Sequence, residues 1–462
     1  MKHILIISFT LSIFGNTLFG KITLPSVFAD NMVLQQNSEV AIWGWSEPGE
    51  TVRIVTSWNS KDTVHVKANN YSRWETNIRT ISAGGPYSIE ILGSSDILLN
   101  NVMLGEVWIC SGQSNMEWSA NMGITNGEEE IAKANYPNIR IFHVQRMGAE
   151  YPQQDCHANW TVCTPETMRA TSAIGYFYGR KLHENLDVPI GLIVSAWGGT
   201  PVEVWIEEPL VENNPEYDSA KYSQITDWWP SKPGATYNSM IAPLVPYGIA
   251  GAIWYQGESN CNTYQVYSSL KKTLIESWRS DFKKDFPFYF VQIAPFDYGI
   301  EGKSEFLREQ QEMVTEIVPN TGMVVISDLV DDIKDIHPKN KLDVGKRLAV
   351  FALAETYKQN VGSYKSPTYE SMKIEKKKIQ LFFNNVPTRL ECTGKSSVKF
   401  MIAGEDQKFV EASAKIEGNK IVVSSKLVKN PLAVRYCFDD ISTPDVFTYE
   451  GLPLAPFRTD KW

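Results

Sequence analysis

Between residues 102 and 357, short apolar runs alternate with helical patterns, and this alternation constrains the fold more than any other feature. Strands are expected at 107–110, 139–144, 190–195, 250–255, 288–293 and 323–326, and helices at 172–186, 264–282, 305–317 and 343–357. A crossover long enough to hold a helix returns the chain to pair in parallel. The expected fold is therefore α/β, a doubly wound parallel sheet. The rhythm lapses between 203 and 246, where Trp-, Pro- and Asn-rich sequence predicts a long surface excursion near the site.

On either side the period changes to two. Residues 40–45, 51–56, 63–67 and 87–92 alternate between turn signals such as Glu47-Pro48-Gly49 and Gly84-Gly85-Pro86, which predicts an N-terminal antiparallel β-sandwich-like domain over 21–100. The α/β region spans 101–362, and a C-terminal antiparallel β region, with strands at 373–383, 398–402, 420–424 and 433–436, spans 363–462.

Lys2 and His3 precede an apolar segment too short to cross a bilayer, the layout of a secretory signal over about residues 1–20. No later run reaches the roughly 18 apolar residues of a membrane span. Export, to the periplasm or beyond the cell, is the expected destination. A net charge of −9 argues against nucleic acid or an anionic membrane as partner. The six cysteines show no zinc spacing; Cys156 with Cys163, and Cys392 with Cys437, stand where disulfides are conceivable. No metal or cofactor is expected.

Residues 105–119 read GEVWICSGQSNMEWS, a buried strand breaking at once into a turn. A turn at the end of a parallel strand lifts a small side chain into the edge where α/β sheets bind ligands, which makes Ser114 the candidate nucleophile. It needs a base, an acid to orient that base, and donors for an oxyanion. Of the six histidines, His3 falls in the leader, His65 in the β domain, and His143, His157 and His183 have no special company. His337 lies in Asp335-Ile336-His337-Pro338, after one predicted strand and before a helix. Pro338 favours an extended backbone at His337, so Asp335 shares its side of the chain; Asp331 and Asp332 are alternatives. Two further strand ends offer oxyanion donors: the pair Gly198-Gly199, and the turn Gln256-Gly257-Glu258-Ser259-Asn260 with its side-chain amides. Trp197, Trp205, Trp228, Trp229 and Trp254 are candidates for stacking on sugar rings.

GQSNMEWS, SAWGGTP, WYQGESN and DIHPKNK, in that order, resemble the sialate O-acetylesterase-like branch of the SGNH (GDSL-type) hydrolases. ITLPSVFADNMVLQQ near the start and GLPLAPFRTD near the end also resemble it, so the likeness covers nearly everything from residue 22 onward. It implies an SGNH-type sheet and removal of O-acetyl groups from sialic acids. Ser114 would be the nucleophile, His337 the base and Asp335 its orienting acid. The backbone N–H groups of Ser114 and of Gly198 or Gly199, with the amide of Gln256 or Asn260, would hold the oxyanion. Two departures stand out: Gln256-Gly257-Glu258-Ser259-Asn260 replaces the usual Gly-x-Asn-Asp block, and Lys334 stands where an Asp usually precedes the His by three. Acetylated xylan or xyloglucan is the alternative substrate, and a non-catalytic glycan-binding protein the alternative class.

Overall fold

The computed structural model describes residues 20–222, 226–299, 303–394, 397 and 399–462. The expected leader lies outside the described residues except for Gly20.

Seven strands make the central sheet: β1 (Ile97–Gly112), β2 (Tyr136–His143), β3 (Trp160–Cys163), β4 (Ile190–Ala196), β5 (Gly251–Tyr255), β6 (Phe288–Val291) and β7 (Thr321–Val324). Their spatial order is β7-β6-β5-β1-β4-β2-β3. All neighbours run parallel except the edge strand β3, which is antiparallel to β2. With four residues, β3 is too short to leave a periodic trace in the sequence. Every residue of β4, β5 and β6 is buried, as parallel strands covered on both faces must be.

Five helices matter for the site: α1 (Ser114–Glu117), α2 (Ala173–Leu186), α3 (Tyr267–Asp281), α4 (Ser304–Ile317) and α5 (Lys341–Glu355). Side-chain alternation along β6 assigns two of the layers. Tyr289 meets Phe351 of α5, whereas Phe288 meets Trp278 of α3 on the opposite face. Trp108 of β1 likewise packs on Tyr178 of α2, and Trp254 of β5 on Trp278.

β1 is far longer than the strand expected at 107–110, because it serves two structures. Its first half pairs antiparallel with Gly84–Leu92 and in parallel with Val33–Gln35; its second half lies between β4 and β5. The strands Thr51–Thr56 and Thr63–Lys67 extend the first half, and Glu39–Trp45 pairs with Arg73–Arg79 above it. Trp43, Ile54, Trp74 and Ile91 therefore share one continuous apolar core with Trp108 and Ile253. The C-terminal strands close around a second core that includes Leu381, Phe400, Ile421, Tyr436 and Phe457.

The stretch expected as one strand over 373–383 is a hairpin of Thr368–Glu375 and Lys378–Asn384. Its turn is made at Lys376, whose φ is +55°. Among the described residues all six cysteine thiols are free, so neither conceivable disulfide is formed. No helix among them is long and apolar enough to cross a membrane.

Candidate active site

β1 ends at Gly112, where φ is +137° and an added Cβ would lie 2.2 Å from the Tyr255 carbonyl oxygen. Only glycine fits there. The next residue, Gln113, donates its N–H to that same carbonyl at 3.0 Å, and the Gly112 carbonyl accepts from Trp197 N–H at 3.1 Å. The turn is thus pinned between the ends of β5 and β4, which leave β1 in opposite directions. This is the point where a doubly wound sheet opens a crevice.

Ser114 is the first residue of α1, not its cap; Gln113 holds the cap position without a capping bond from its side chain. The Ser114 hydroxyl is therefore not spent on capping. Its Oγ lies 2.9 Å from Nε2 of His337. The imidazole stacks on Trp118, with ring centres 4.0 Å apart and planes 22° from parallel. Asp335 Oδ1 accepts the backbone N–H of His337 at 2.9 Å and stands 3.6 Å from Nδ1. The carboxylate thus fixes the backbone at His337 directly and faces the ring at ion-pair distance, longer than a hydrogen bond. Asp332 turns instead to the Lys334 N–H, at 2.9 Å.

Behind the pair lies a buried polar chain. Lys341 Nζ donates to Asn115 Oδ1 at 2.6 Å; Asn115 Nδ2 donates to Glu258 Oε1 at 2.6 Å and to the Ile336 carbonyl at 3.0 Å. Burial pushes the Lys341 ammonium down to about 7 against the opposing charges of Glu258 and Asp335. Burial raises the Glu258 carboxyl. Burial first and the Lys341 charge second hold His337 down to about 4, with Asp335 pulling the other way. At neutral pH the imidazole is accordingly unprotonated and able to accept a proton.

The glycine pair approaches from β4. A Cβ on Gly198 would touch Ser114 Cβ at 3.2 Å, and Gly198 N–H donates to Glu117 Oε2 at 2.9 Å. Glu117 Oε1 is in turn paired with Arg146 Nε. Gly199 has a φ of +81°, and an added Cβ would run into the Trp229 ring at 2.3 Å. The pair thus sits beside Ser114, but the Gly198 N–H is already engaged.

Gln256 and Asn260 do not offer their amides to Ser114. Both are fully buried, and Gln256 Nε2 donates to Asn260 Oδ1 at 2.7 Å and to the Thr200 carbonyl at 3.3 Å. Asn260 Nδ2 donates to Glu203 Oε2 at 2.9 Å, while its Oδ1 accepts Val202 N–H at 2.9 Å. A buried amide is drawn to the nearest unpaired carbonyl or carboxylate, and here that partner is the chain after Gly199. In this arrangement these side chains brace the glycine loop. Trp205 and Trp254 are buried in the core, whereas Trp228 is 81% exposed.

Asn115, Glu117, Trp118 and Lys341 escaped the sequence reading. The first three stand within the motif that contains Ser114, and Lys341 lies four residues after His337, so the motifs themselves were the available signal.

The family model described as "Carbohydrate esterase, sialic acid-specific acetylesterase" matches residues 104–354, more than half of the chain. Sialate O-acetylesterase of Homo sapiens is 31% identical over 389 residues, 76% of this chain and 74% of that protein. The enzyme of the same name from Mus musculus is 30% identical over 423 residues, 78% and 76% of the two chains. A solved carbohydrate acetylesterase from Xanthomonas citri superposes with a TM-score of 0.86 at 32% identity, covering 96% of this chain and 100% of its own. A mixed α/β fold with a mostly parallel central sheet, matched this widely to esterases, defines a carboxylic ester hydrolase that removes O-acetyl groups from carbohydrates. The chain belongs to the sialic acid-specific acetylesterase family of carbohydrate esterases.

Proposed function

We propose that the protein removes O-acetyl groups from sialic acids through an acyl-enzyme formed on Ser114. The observation that carries the mechanism is the 2.9 Å approach of Ser114 Oγ to an unprotonated His337 at the crevice of the sheet. His337 takes the hydroxyl proton as Oγ attacks the acetyl carbonyl, then returns it to the departing sugar oxygen; water repeats the sequence on the acetyl-serine. Asp335 steadies His337. The oxyanion is held by backbone N–H groups, that of Ser114, which as the first of its helix has no intrahelical acceptor, and that of Gly199. An SGNH-type arrangement of the sheet fits this order of parts, and residues 1–20 support export as the setting.

The substrate reading rests on the sialate O-acetylesterases among the relatives. A neutral acetylated plant glycan is the second reading, favoured by the wide match to an enzyme described only as a carbohydrate acetylesterase. Acetate release from O-acetylated sialic acids, acetylated xylan and acetylated xyloglucan, by wild type and by Ser114→Ala, tests both. Release from sialic acids that vanishes in the variant supports mechanism and substrate together. Release from neutral glycans alone overturns the substrate, and release that survives Ser114→Ala overturns the mechanism.

A further inference from the structure

The mechanism leaves one charged side chain at the rim of the site without a task. Arg146, just past the end of β2, pairs through Nε with Glu117 Oε1, yet its side chain is 54% exposed while that of Glu117 is only 10% exposed. Among the described residues the two terminal nitrogens of its guanidinium have no hydrogen-bond partner. Glu117 lies three residues beyond Ser114, and its other oxygen holds the N–H of Gly198, itself in reach of the nucleophile. A cleft of about 520 Å³ opens alongside, lined by Glu117, Ser119, Met122, His143, Gln145 and Arg146.

A guanidinium anchored at Nε presents its Nη1–Nη2 edge as a rigid two-donor fork, a geometry that matches a carboxylate oxygen for oxygen. Glu117 offsets much of the guanidinium charge, so the fork selects by shape more than by field. That suits a chain of net charge −9, which has no general pull on anions. An ordinary rim ion pair has no reason to bury its carboxylate against the glycine loop while its guanidinium stays exposed and lines a cleft.

We propose that Arg146 is the carboxylate-recognising subsite of this esterase, taking the carboxylate of the acidic sugar whose acetyl group reaches Ser114. The inference deepens the sialate reading and rests on it. It also joins recognition to chemistry: Glu117 touches both the guanidinium and Gly198, so a bound carboxylate is linked to the glycine loop through Arg146 and Glu117.

The test compares acetate release from an O-acetylated sialic acid glycoside and from the methyl ester of its carboxylate, in wild type, Arg146→Met and Arg146→Lys. Because the acid-to-ester ratio of kcat/KM is taken within each enzyme, a general loss of activity or folding cancels. Wild type should prefer the acid by roughly 10–100-fold, the worth of charge-assisted hydrogen bonds, mostly in KM. The ratio should fall to about one in Arg146→Met and keep an intermediate value in Arg146→Lys. A wild-type ratio near one, or a preference that survives Arg146→Met, overturns the subsite and leaves the sialate reading standing. Wild type that releases acetate from neutral glycans and from neither sialoside overturns both.

Discussion

Asn115 donates its side-chain amide to the carbonyl of Ile336 at 3.0 Å, tying the residue after the nucleophile to the residue before the base. The two lie 221 positions apart in the chain. Their bond, with Lys341 and Glu258 behind it, fixes the separation of Ser114 and His337 from beneath, where the stacked Trp118 ring steadies the imidazole from its face. Preorganisation of this kind matters because a misplacement of about 1 Å can cost on the order of 100-fold in rate.

Asn115→Ala should therefore lower kcat by roughly 10–100-fold, although Ser114 and His337 are both still present, because their separation is no longer fixed. Steady-state kinetics on an acetylated substrate, with a melting curve as control, measures it. Unchanged kcat in a folded variant would mean that the dyad holds its geometry without this tie.

The His337 imidazole is held down to about 4, so kcat/KM should stay level from neutral pH to about 5 and fall only as the ring takes up a proton below that. Lys341→Met removes the positive charge that contributes to this depression. The acidic limb should then move to higher pH, by about 1 unit. Lys341→Arg keeps the charge and should leave the limb in place. A pH–rate profile of the three proteins decides the matter, and a purely structural role for Lys341 would not move the limb.

Glu203 is fully buried, and burial raises its carboxyl to about 7. Its folded value lies above the unfolded one, so the folded state takes up a proton between the two. The contribution of Glu203 to stability should decline as pH rises from about 4.5 to 7, by about 3 kcal/mol. Glu203→Gln keeps an oxygen for Asn260 Nδ2 and removes the titration. Its Tm should match wild type near pH 5 and exceed it at pH 8, and a gap independent of pH would refute the assignment.

The strands at 190–195 and 250–255 were legible because continuous apolar runs bounded by turns leave little choice. Ser114 was legible as a candidate because it stands where a strand has just ended, and His337 because it follows Asp335 by two in the loop between a strand and a helix. Direction was not. The type of residue at 256 and 260 is plain in the sequence, but whether an amide points into the crevice or back at Thr200 depends on a loop 56 residues away. Lys341 failed for the opposite reason: a lysine opening a helix reads as a solvated charge, and only the rings of Trp118 and Tyr255 around it reveal otherwise. The hairpin turn at Lys376 was hidden because three successive lysines carry no turn signal of the Gly or Asn kind.

Gly112→Ala should cost several degrees of Tm and most of the activity. The new methyl would meet backbone, which cannot swing aside as a flexible side chain would, in a conformation L-residues rarely adopt. Thermal melting and acetate release together test this; a stable, active variant would show the turn to be softer than its contacts imply.

The shared strand β1 bears on how such an enzyme can be taken apart. Glu106, midway along it, accepts from Gln35, Gln36 and Tyr357, joining the N-terminal layer to the segment after α5. A chain cut at residue 101 would strip the ladders of Val33–Gln35 and Gly84–Leu92 from the very strand that ends at the nucleophile. The N-terminal layer is therefore not a detachable cargo that could be exchanged between enzymes like a tethered glycan-binding module. An engineer who wants a smaller catalyst should look first to the other end, where the strands keep a core of their own.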